Sequence, residues 1–154
     1  MAAGEIQISM VETSRRDVST ILYIHKNDLF LIKRLEETAK YFLGYNPHTI
    51  QPKDIKFLNQ NLFQVSRFTF QVLHTPGHTP GSCCFYFKDE KVIFTGDTLF
   101  KHGIGRYDFS YSRKEDLKKS LEKILKLPDD TIVYPGHGEK TIIGNEKEFA
   151  LNLF

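Results

Sequence analysis

Three short glycine-flanked segments, each placed after a predicted strand, constrain this sequence more than any other feature. Five of the ten glycines lie within three residues of a potential metal ligand in these segments, where glycine permits tight turns and close backbone approach. The ligands are His78 after strand Phe68–Leu73, Asp97 after strand Lys91–Phe94, and His137 after strand Thr131–Tyr134. The sequence therefore predicts that these three side chains converge on one metal centre.

The residue types in this set indicate hydrolytic chemistry. Imidazole nitrogen and carboxylate oxygen bind zinc, iron and manganese, and an aspartate between two histidines can also bridge two ions. A bound ion acidifies water, so an electrophile can be attacked at neutral pH without a protein nucleophile. A single buried histidine is more often a packing residue, so the prediction depends on the three segments together. His74, four residues before His78, is predicted to orient its loop by hydrogen bonding beside the ligands.

Composition narrows the class of protein. The 154 residues fit one domain, and the net charge of +2 comes from 21 basic and 19 acidic residues that are scattered along the chain. We therefore expect no nucleic-acid partner. No apolar run approaches the roughly 18 residues that span a bilayer, and the first ten residues do not resemble a secretion signal, so we expect a cytoplasmic protein without membrane contact. Cys83 and Cys84 are predicted to be reduced, buried packing residues.

We expect an α+β fold in which helices cover the outer face of a mixed sheet. We expect residues 1–20 to be weakly ordered and residues 21–154 to form one domain. A hairpin is predicted around Lys88-Asp89-Glu90, and Ser112 with Glu115 reads as a helix capping box. The predicted strands are Ile21–Ile24, Phe68–Leu73, Ser82–Phe87, Lys91–Phe94 and Thr131–Tyr134, and the predicted helices are Asn27–Leu43, Arg113–Leu127 and Asn145–Phe154.

The order and context of the three segments resemble a known family. They read His74-Thr-Pro-Gly-His78-Thr-Pro-Gly-Ser82, Gly96-Asp97-Thr98-Leu99-Phe100 and Tyr134-Pro135-Gly136-His137-Gly138. These look like consecutive signature motifs of metallo-β-lactamase-fold hydrolases, and they are most similar to those of glyoxalase II-like, hydroxyacylglutathione hydrolase-like thioesterases. Ile104-Gly105-Arg106 and Asp129-Asp130-Thr131 also resemble this branch, so the resemblance extends over most of the chain.

The resemblance implies a fold, site roles and a reaction. The fold is an αββα sandwich, of which this chain holds the C-terminal portion. By resemblance His78 binds the first metal, Asp97 bridges two metals as the catalytic residue, and His137 binds the second. Zinc is the commonest ion, and iron or manganese is an alternative. The implied substrate is a small acyl or glutathione thioester attacked by metal-bound hydroxide. Arg106 either binds substrate anions or anchors its own loop.

One family motif is missing from the sequence. A His-x-His-x-Asp-His segment supplies the family's remaining ligands upstream of the region matching Ile21, and neither His25 nor His48 is paired or spaced to replace it. We therefore expect a truncated domain that holds at most one ion, through His78, Asp97 and His137. An exposed sheet edge would then be available for self-association.

Three alternatives to an active thioesterase stay open from the sequence. The chain could be a non-catalytic remnant that serves as an interaction module, or an incomplete product of a longer gene. It could also be a mononuclear iron dioxygenase acting on glutathione persulfide, since that branch shares the fold. The motif from Gly96 to Phe100 favours the hydrolases.

Overall fold

The computed structural model describes residues 21–47, 52, 54–58 and 62–153. The expectation for residues 1–20, and the position of His48, lie outside these ranges. The chain divides into two compact units, residues 1–59 and residues 60–154.

The first unit contains a two-stranded parallel sheet and a broken helical segment. Arg34 interrupts the helix predicted over Asn27–Leu43, because its backbone (φ −99°, ψ 8°) leaves helical geometry. That single continuous helix was a wrong prediction. His25 accepts a hydrogen bond from the Asn27 backbone N–H at the start of this segment, which is a capping role. The elements are β1 (Ile21–Ile24), a 3₁₀ turn (Lys26–Asp28), α1 (Leu29–Lys33), α2 (Leu35–Leu43) and β2 (Asp54–Phe57).

The second unit is built on a six-stranded mixed sheet. From one edge to the other, the strands are β10 (Thr141–Ile142), β9 (Ile132–Pro135), β6 (Val92–Gly96), β5 (Cys83–Phe87), β4 (Phe68–His74) and β3 (Leu62–Val65). The four strands predicted in this region are present, and the hairpin at Lys88–Glu90 joins two of them antiparallel. The short strands at both sheet edges, and a separate two-stranded hairpin, were not predicted. The strands of this hairpin are β7 (Leu99–Phe100) and β8 (Gly103–Ile104).

Strand direction places the three glycine-flanked loops together. β4 and β6 are each antiparallel to β5 between them, and β6 pairs parallel with β9. β4, β6 and β9 therefore run the same way, and their last residues His74, Gly96 and Pro135 reach the same end of the sheet. The loops that carry His78, Asp97 and His137 all begin there.

Two helices, α3 (Lys114–Ile124) and α4 (Ile143–Leu151), pack on one face of this sheet. The capping box predicted at Ser112 is wrong: the N-cap is Arg113, without a side-chain cap, and the Ser112 hydroxyl binds elsewhere. The core they enclose consists of Cys84, Tyr86, Ile93, Leu99, Leu117, Leu121, Ile124, Leu125, Val133, Ile143 and Ala150. The predicted α+β class is confirmed. Among the described residues, no helix has the length and apolarity needed to cross a bilayer.

A row of aromatic rings lines the other face of the sheet, with one ring on each of five neighbouring strands. The rings are Phe63, Phe70, Phe87, Phe94 and Tyr134, and successive centroids are 5.8, 4.9, 5.7 and 5.5 Å apart. Such pairs contribute about 0.5–1.5 kcal/mol each beyond area burial. The row therefore helps fix β9 against β6.

The helix-covered core gives a direct stability prediction. Leu121→Ala removes a side chain that is 0% exposed and should lower the free energy of unfolding by about 2–5 kcal/mol, because the cavity cannot collapse fully. Leu62→Ala, at a leucine that is 57% exposed, is the matched control and should change it by no more than about 0.5 kcal/mol. Urea unfolding followed by circular dichroism measures both. Equal effects would contradict this packing.

The two adjacent cysteines, Cys83 and Cys84, are buried and form no disulfide, as predicted. The Cys84 sulfur lies 3.3 Å from the Thr75 hydroxyl, inside the core beneath the site. Burial raises the pKa of the Cys84 thiol from 9.0 to about 11, because desolvation disfavours the thiolate. The side chain therefore stays a neutral packing group at neutral pH.

This raised pKa predicts a pH-dependent stability. The folded state binds the Cys84 proton more tightly than the unfolded state, so the contribution is complete below pH 9.0 and is lost as pH rises towards about 11. It amounts to about 2–3 kcal/mol. Urea unfolding of the wild type should therefore show a steeper loss of stability over this range than unfolding of Cys84→Ala. Identical slopes would mean that the thiol does not titrate there.

Candidate metal centre

Asp97 lies between the two histidines predicted from the sequence. His78 Nε2 is 3.5 Å from Asp97 Oδ2, and His137 Nε2 is 3.9 Å from Asp97 Oδ1. The histidines thus approach opposite oxygens of one carboxylate. The structure therefore brings together the three residues that the loops were predicted to present.

These spacings allow each histidine to share a metal ion with its nearer Asp97 oxygen. Two ligands of one tetrahedral zinc ion, each about 2.1 Å from the metal, lie about 3.4 Å apart. Each histidine with its nearer Asp97 oxygen approximates that spacing. Across the described residues no group of three or more His, Cys, Asp or Glu side chains could hold a metal. A single ion held by all three residues has no direct support from this geometry and stays a prediction. Each histidine with its nearer Asp97 oxygen would supply two donors to an ion.

A backbone carbonyl sets the orientation of His78. Its Nδ1 is 2.9 Å from the Arg106 carbonyl oxygen. Because a carbonyl only accepts, Nδ1 donates this hydrogen bond, and Nε2 is the ring nitrogen that faces Asp97. The Phe109 ring lies edge-on to the imidazole at 5.6 Å. The side chain is buried and is held in the tautomer that binds metals.

The loop that carries His78 is hydrogen-bonded to α3 and to the residues just before it. The Ser112 hydroxyl donates to the His78 carbonyl at 2.6 Å, and the Arg113 N–H donates to the Gly77 carbonyl at 2.8 Å. From α3 itself, the Ser120 hydroxyl donates to the Pro76 carbonyl at 2.7 Å. Helix α3 therefore both covers the core and positions the loop that carries His78.

His137 is more exposed than His78, with 55% of its side chain accessible. It lies against the Phe100 ring, with centroids 4.5 Å apart and planes inclined by 33°. Beside it, Lys101 Nζ pairs with Glu139 Oε2 at 2.5 Å on the surface. The β7–β8 hairpin thus contacts the His137 loop at two points.

His74 lies at the end of β4 and binds its own loop. Its Nε2 is 2.9 Å from the Pro80 carbonyl oxygen, so the imidazole spans the loop that carries His78. This contact is of the kind predicted for His74, orientation of the loop by hydrogen bonding.

Arg106 lies on the rim of the site, where its guanidinium is already engaged. It donates two hydrogen bonds to Asp108, at 2.9 and 2.8 Å, and lies 4.7 Å from the Phe109 ring centroid. These bonds lower the pKa of the Asp108 carboxyl, which stays ionised. The anchoring role that the sequence left open therefore has a structural basis, while contact with substrate anions stays a prediction.

Sequence reasoning missed several supporting residues. Ser112 was interpreted as a helix cap, although its hydroxyl supports His78. Phe100 and Phe109 were not singled out, although their rings contact the two histidines. The only available signal was their position within a few residues of the recognised motifs.

With this geometry established, comparison with known proteins identifies the family. The family model described as the metallo-beta-lactamase superfamily matches residues 14–137 of the sequence. The chain belongs to this superfamily, and the resemblance drawn from its three motifs is confirmed.

Individual relatives support the same placement. The chain is 42% identical over 126 residues to hydroxyacylglutathione hydrolase GloC of Haemophilus influenzae, covering 80% of this chain and 58% of that protein. It is 34% identical over 128 residues to the probable metallo-hydrolase YqgX of Bacillus subtilis, covering 82% and 61%. A crystal structure of TTHA1623 in a di-iron-bound form superposes with a TM-score of 0.73 at 35% identity, covering 82% and 62%. The chain thus spans about 60% of the length of these relatives.

Close backbone approach at Gly136 yields a prediction for the centre. A Cβ at this position would lie 2.6 Å from Asp97 Oδ1, so Gly136→Ala must displace the carboxylate from His137. We expect zinc affinity to fall about 10–100-fold, as when a ligand loses its orientation. Gly103→Ala is the control, because its nearest contact would be an ordinary 3.6 Å. Isothermal titration calorimetry measures both, and unchanged affinity in Gly136→Ala would show that Asp97 Oδ1 is not a ligand.

Proposed function

We propose that this chain carries the Asp-bridged part of a metal-dependent hydrolase centre of the glyoxalase II-like type. The observation that carries the proposal is the position of Asp97, whose two oxygens each face one histidine at 3.5 and 3.9 Å. One carboxylate shared in this way suits two neighbouring ions, as in hydrolases that use a metal pair.

The supporting donors are arranged for this role. The carbonyl of Arg106 accepts a hydrogen bond from His78 Nδ1 and so directs Nε2 at the centre, and His74 and Ser112 hold its loop. His137 is more open to solvent on the opposite side of Asp97. The more exposed half of the centre is therefore the side from which a substrate can approach.

The proposed reaction is hydrolysis of a small thioester or related acyl substrate. Metal ions held by His78, Asp97 and His137 would supply acidified water and polarise the acyl carbonyl. In the overall reaction, water oxygen bonds to the acyl carbon, the carbon–sulfur bond breaks, and the thiol leaves with a proton. The thioester class follows from the name of the Haemophilus influenzae relative. Zinc is the proposed ion, and the di-iron-bound neighbour makes iron the alternative.

Two donors for each ion imply modest metal affinity and modest activity. Catalytic zinc sites usually hold the ion with three protein ligands and leave one position for water or substrate. The described residues provide His78 and one Asp97 oxygen on one side, and His137 and the other oxygen on the other side. We therefore expect weak zinc binding and slow thioester hydrolysis by the chain as it stands.

Metal stoichiometry in single variants tests the shared carboxylate. Zinc titration of the wild type, His78→Ala, His137→Ala and Asp97→Ala should show that Asp97→Ala loses all binding, whereas each histidine variant loses one of two ions. His25→Gln is the control, since His25 caps a turn in the first unit. Equal loss of all zinc in the three site variants would indicate one ion bound by three ligands.

Thiol release from a hydroxyacylglutathione, followed with a chromogenic thiol reagent, tests the reaction itself. Activity should require added zinc or iron and should disappear in Asp97→Ala. Metal binding without thiol release in the wild type would reject the hydrolase function and favour the alternative of a non-catalytic binding module.

A further inference from the structure

Glu146, on helix α4, is a buried carboxylate with no part in the proposed reaction. It is 0% exposed, and both of its oxygens are used. Oε1 accepts a hydrogen bond from the Thr141 hydroxyl at 2.6 Å, and Oε2 accepts one from the His102 backbone N–H at 2.8 Å. Burial of a polar group costs free energy unless hydrogen bonds offset its desolvation, and both oxygens of Glu146 have such a bond.

The His102 end of this arrangement is strained. His102 has φ +53°, a left-handed conformation that a residue with a Cβ adopts only at a cost. It forms the turn between β7 and β8, and the bond to Glu146 is made by the backbone of this same residue. The His102 ring lies over Phe149 of the same helix, with centroids 5.6 Å apart. Helix α4 therefore holds the hairpin turn in a conformation that its sequence does not favour.

The same turn sets the surroundings of His137. Phe100, two residues before His102, lies 4.5 Å from the His137 ring, and Lys101 pairs with Glu139 of the His137 loop. The surface pair is worth little because both side chains are well exposed, so the ring contact is the more important link. A shift of the turn would move Phe100 and free the imidazole.

From these contacts we infer that Glu146 is a positioning residue for His137, acting through the His102 turn and the Phe100 ring. Its carboxylate fixes the turn, the turn fixes Phe100, and Phe100 limits the orientations of the imidazole opposite Asp97. The inference that this orientation of His137 strengthens metal binding rests on the proposed function. The inference that Glu146 orients the imidazole is independent of the proposed function.

The experiment reads the His137 ring directly in the metal-free protein. The Hε1 resonance of His137, assigned by its absence in His137→Ala, should be displaced by the Phe100 ring current, and Phe100→Leu defines the undisplaced position. Glu146→Met fills the same space without acceptors and should move this resonance to the Phe100→Leu position, while His78 keeps its wild-type shift. Glu146→Gln should keep the displaced resonance, because its oxygen can accept from His102 and its amide can donate to the Thr141 hydroxyl.

A second variant guards against unfolding of Glu146→Met. Glycine adopts φ +53° without strain, so His102→Gly combined with Glu146→Met should fold and regain part of the His137 displacement. A wild-type His137 resonance in folded Glu146→Met would overturn the inference. So would equal changes at His78, or a double variant that neither folds nor regains the displacement.

Zinc affinity provides the functional arm. It should fall about tenfold in Glu146→Met and stay near the wild-type value in Glu146→Gln. In the His137→Ala background, Glu146→Met should have no further effect, whereas in His78→Ala it should keep its effect. Equal effects in both backgrounds would mean that Glu146 does not act through His137. Absence of zinc binding in the wild type would overturn the proposed function and leave the resonance result to decide the positioning role.

Discussion

The common direction of β4, β6 and β9 is the constraint on which the centre depends. The antiparallel strand β5 returns the chain between the first two, and the parallel pairing of β6 with β9 adds the third. His78, Asp97 and His137, which are far apart in sequence, therefore follow strands that end at the same end of the sheet. This holds although β4 is not paired directly with β6 or β9. The core under α3 and the aromatic row on the opposite face hold this strand order from both sides.

Neighbouring residues orient the two imidazoles, His78 and His137, at the end of this sheet. The Arg106 carbonyl fixes the tautomer of His78, and the neighbouring hydroxyl of Ser112 holds its loop. His137 depends instead on a ring contact with Phe100 and lies closer to solvent. The two halves of the centre therefore differ in rigidity, although they share Asp97. This asymmetry supports the proposed approach of substrate from the more exposed His137 side.

The central strands and the loops after them were largely predictable from sequence. The alternation of apolar and polar residues in Phe68–Leu73, and the glycines near Asp97 and His137, are local signals. The edge strand β3 was missed because three of its four residues are exposed, so it lacks a buried face, and β10 was missed because two residues show no periodicity. The resemblance implied a bridging role for Asp97, but the sequence could not show which carboxylate oxygen each imidazole faces. The bond from His102 to Glu146 joins residues 44 positions apart and leaves no local pattern.

The parallel pairing of β6 with β9 also has a kinetic consequence. β3, β4, β5 and β6 follow one another as hairpins, so they can pair through short loops. β9 must wait for a crossover that contains β7, β8 and α3, and closing this longer connection costs more chain entropy before any contact offsets it. The strands that lead to His78 and Asp97 can therefore pair first as a meander, whereas β9, which leads to His137, joins later. The contact between His137 and Asp97 forms only after this crossover has closed, so it reports the pairing of β9 with β6.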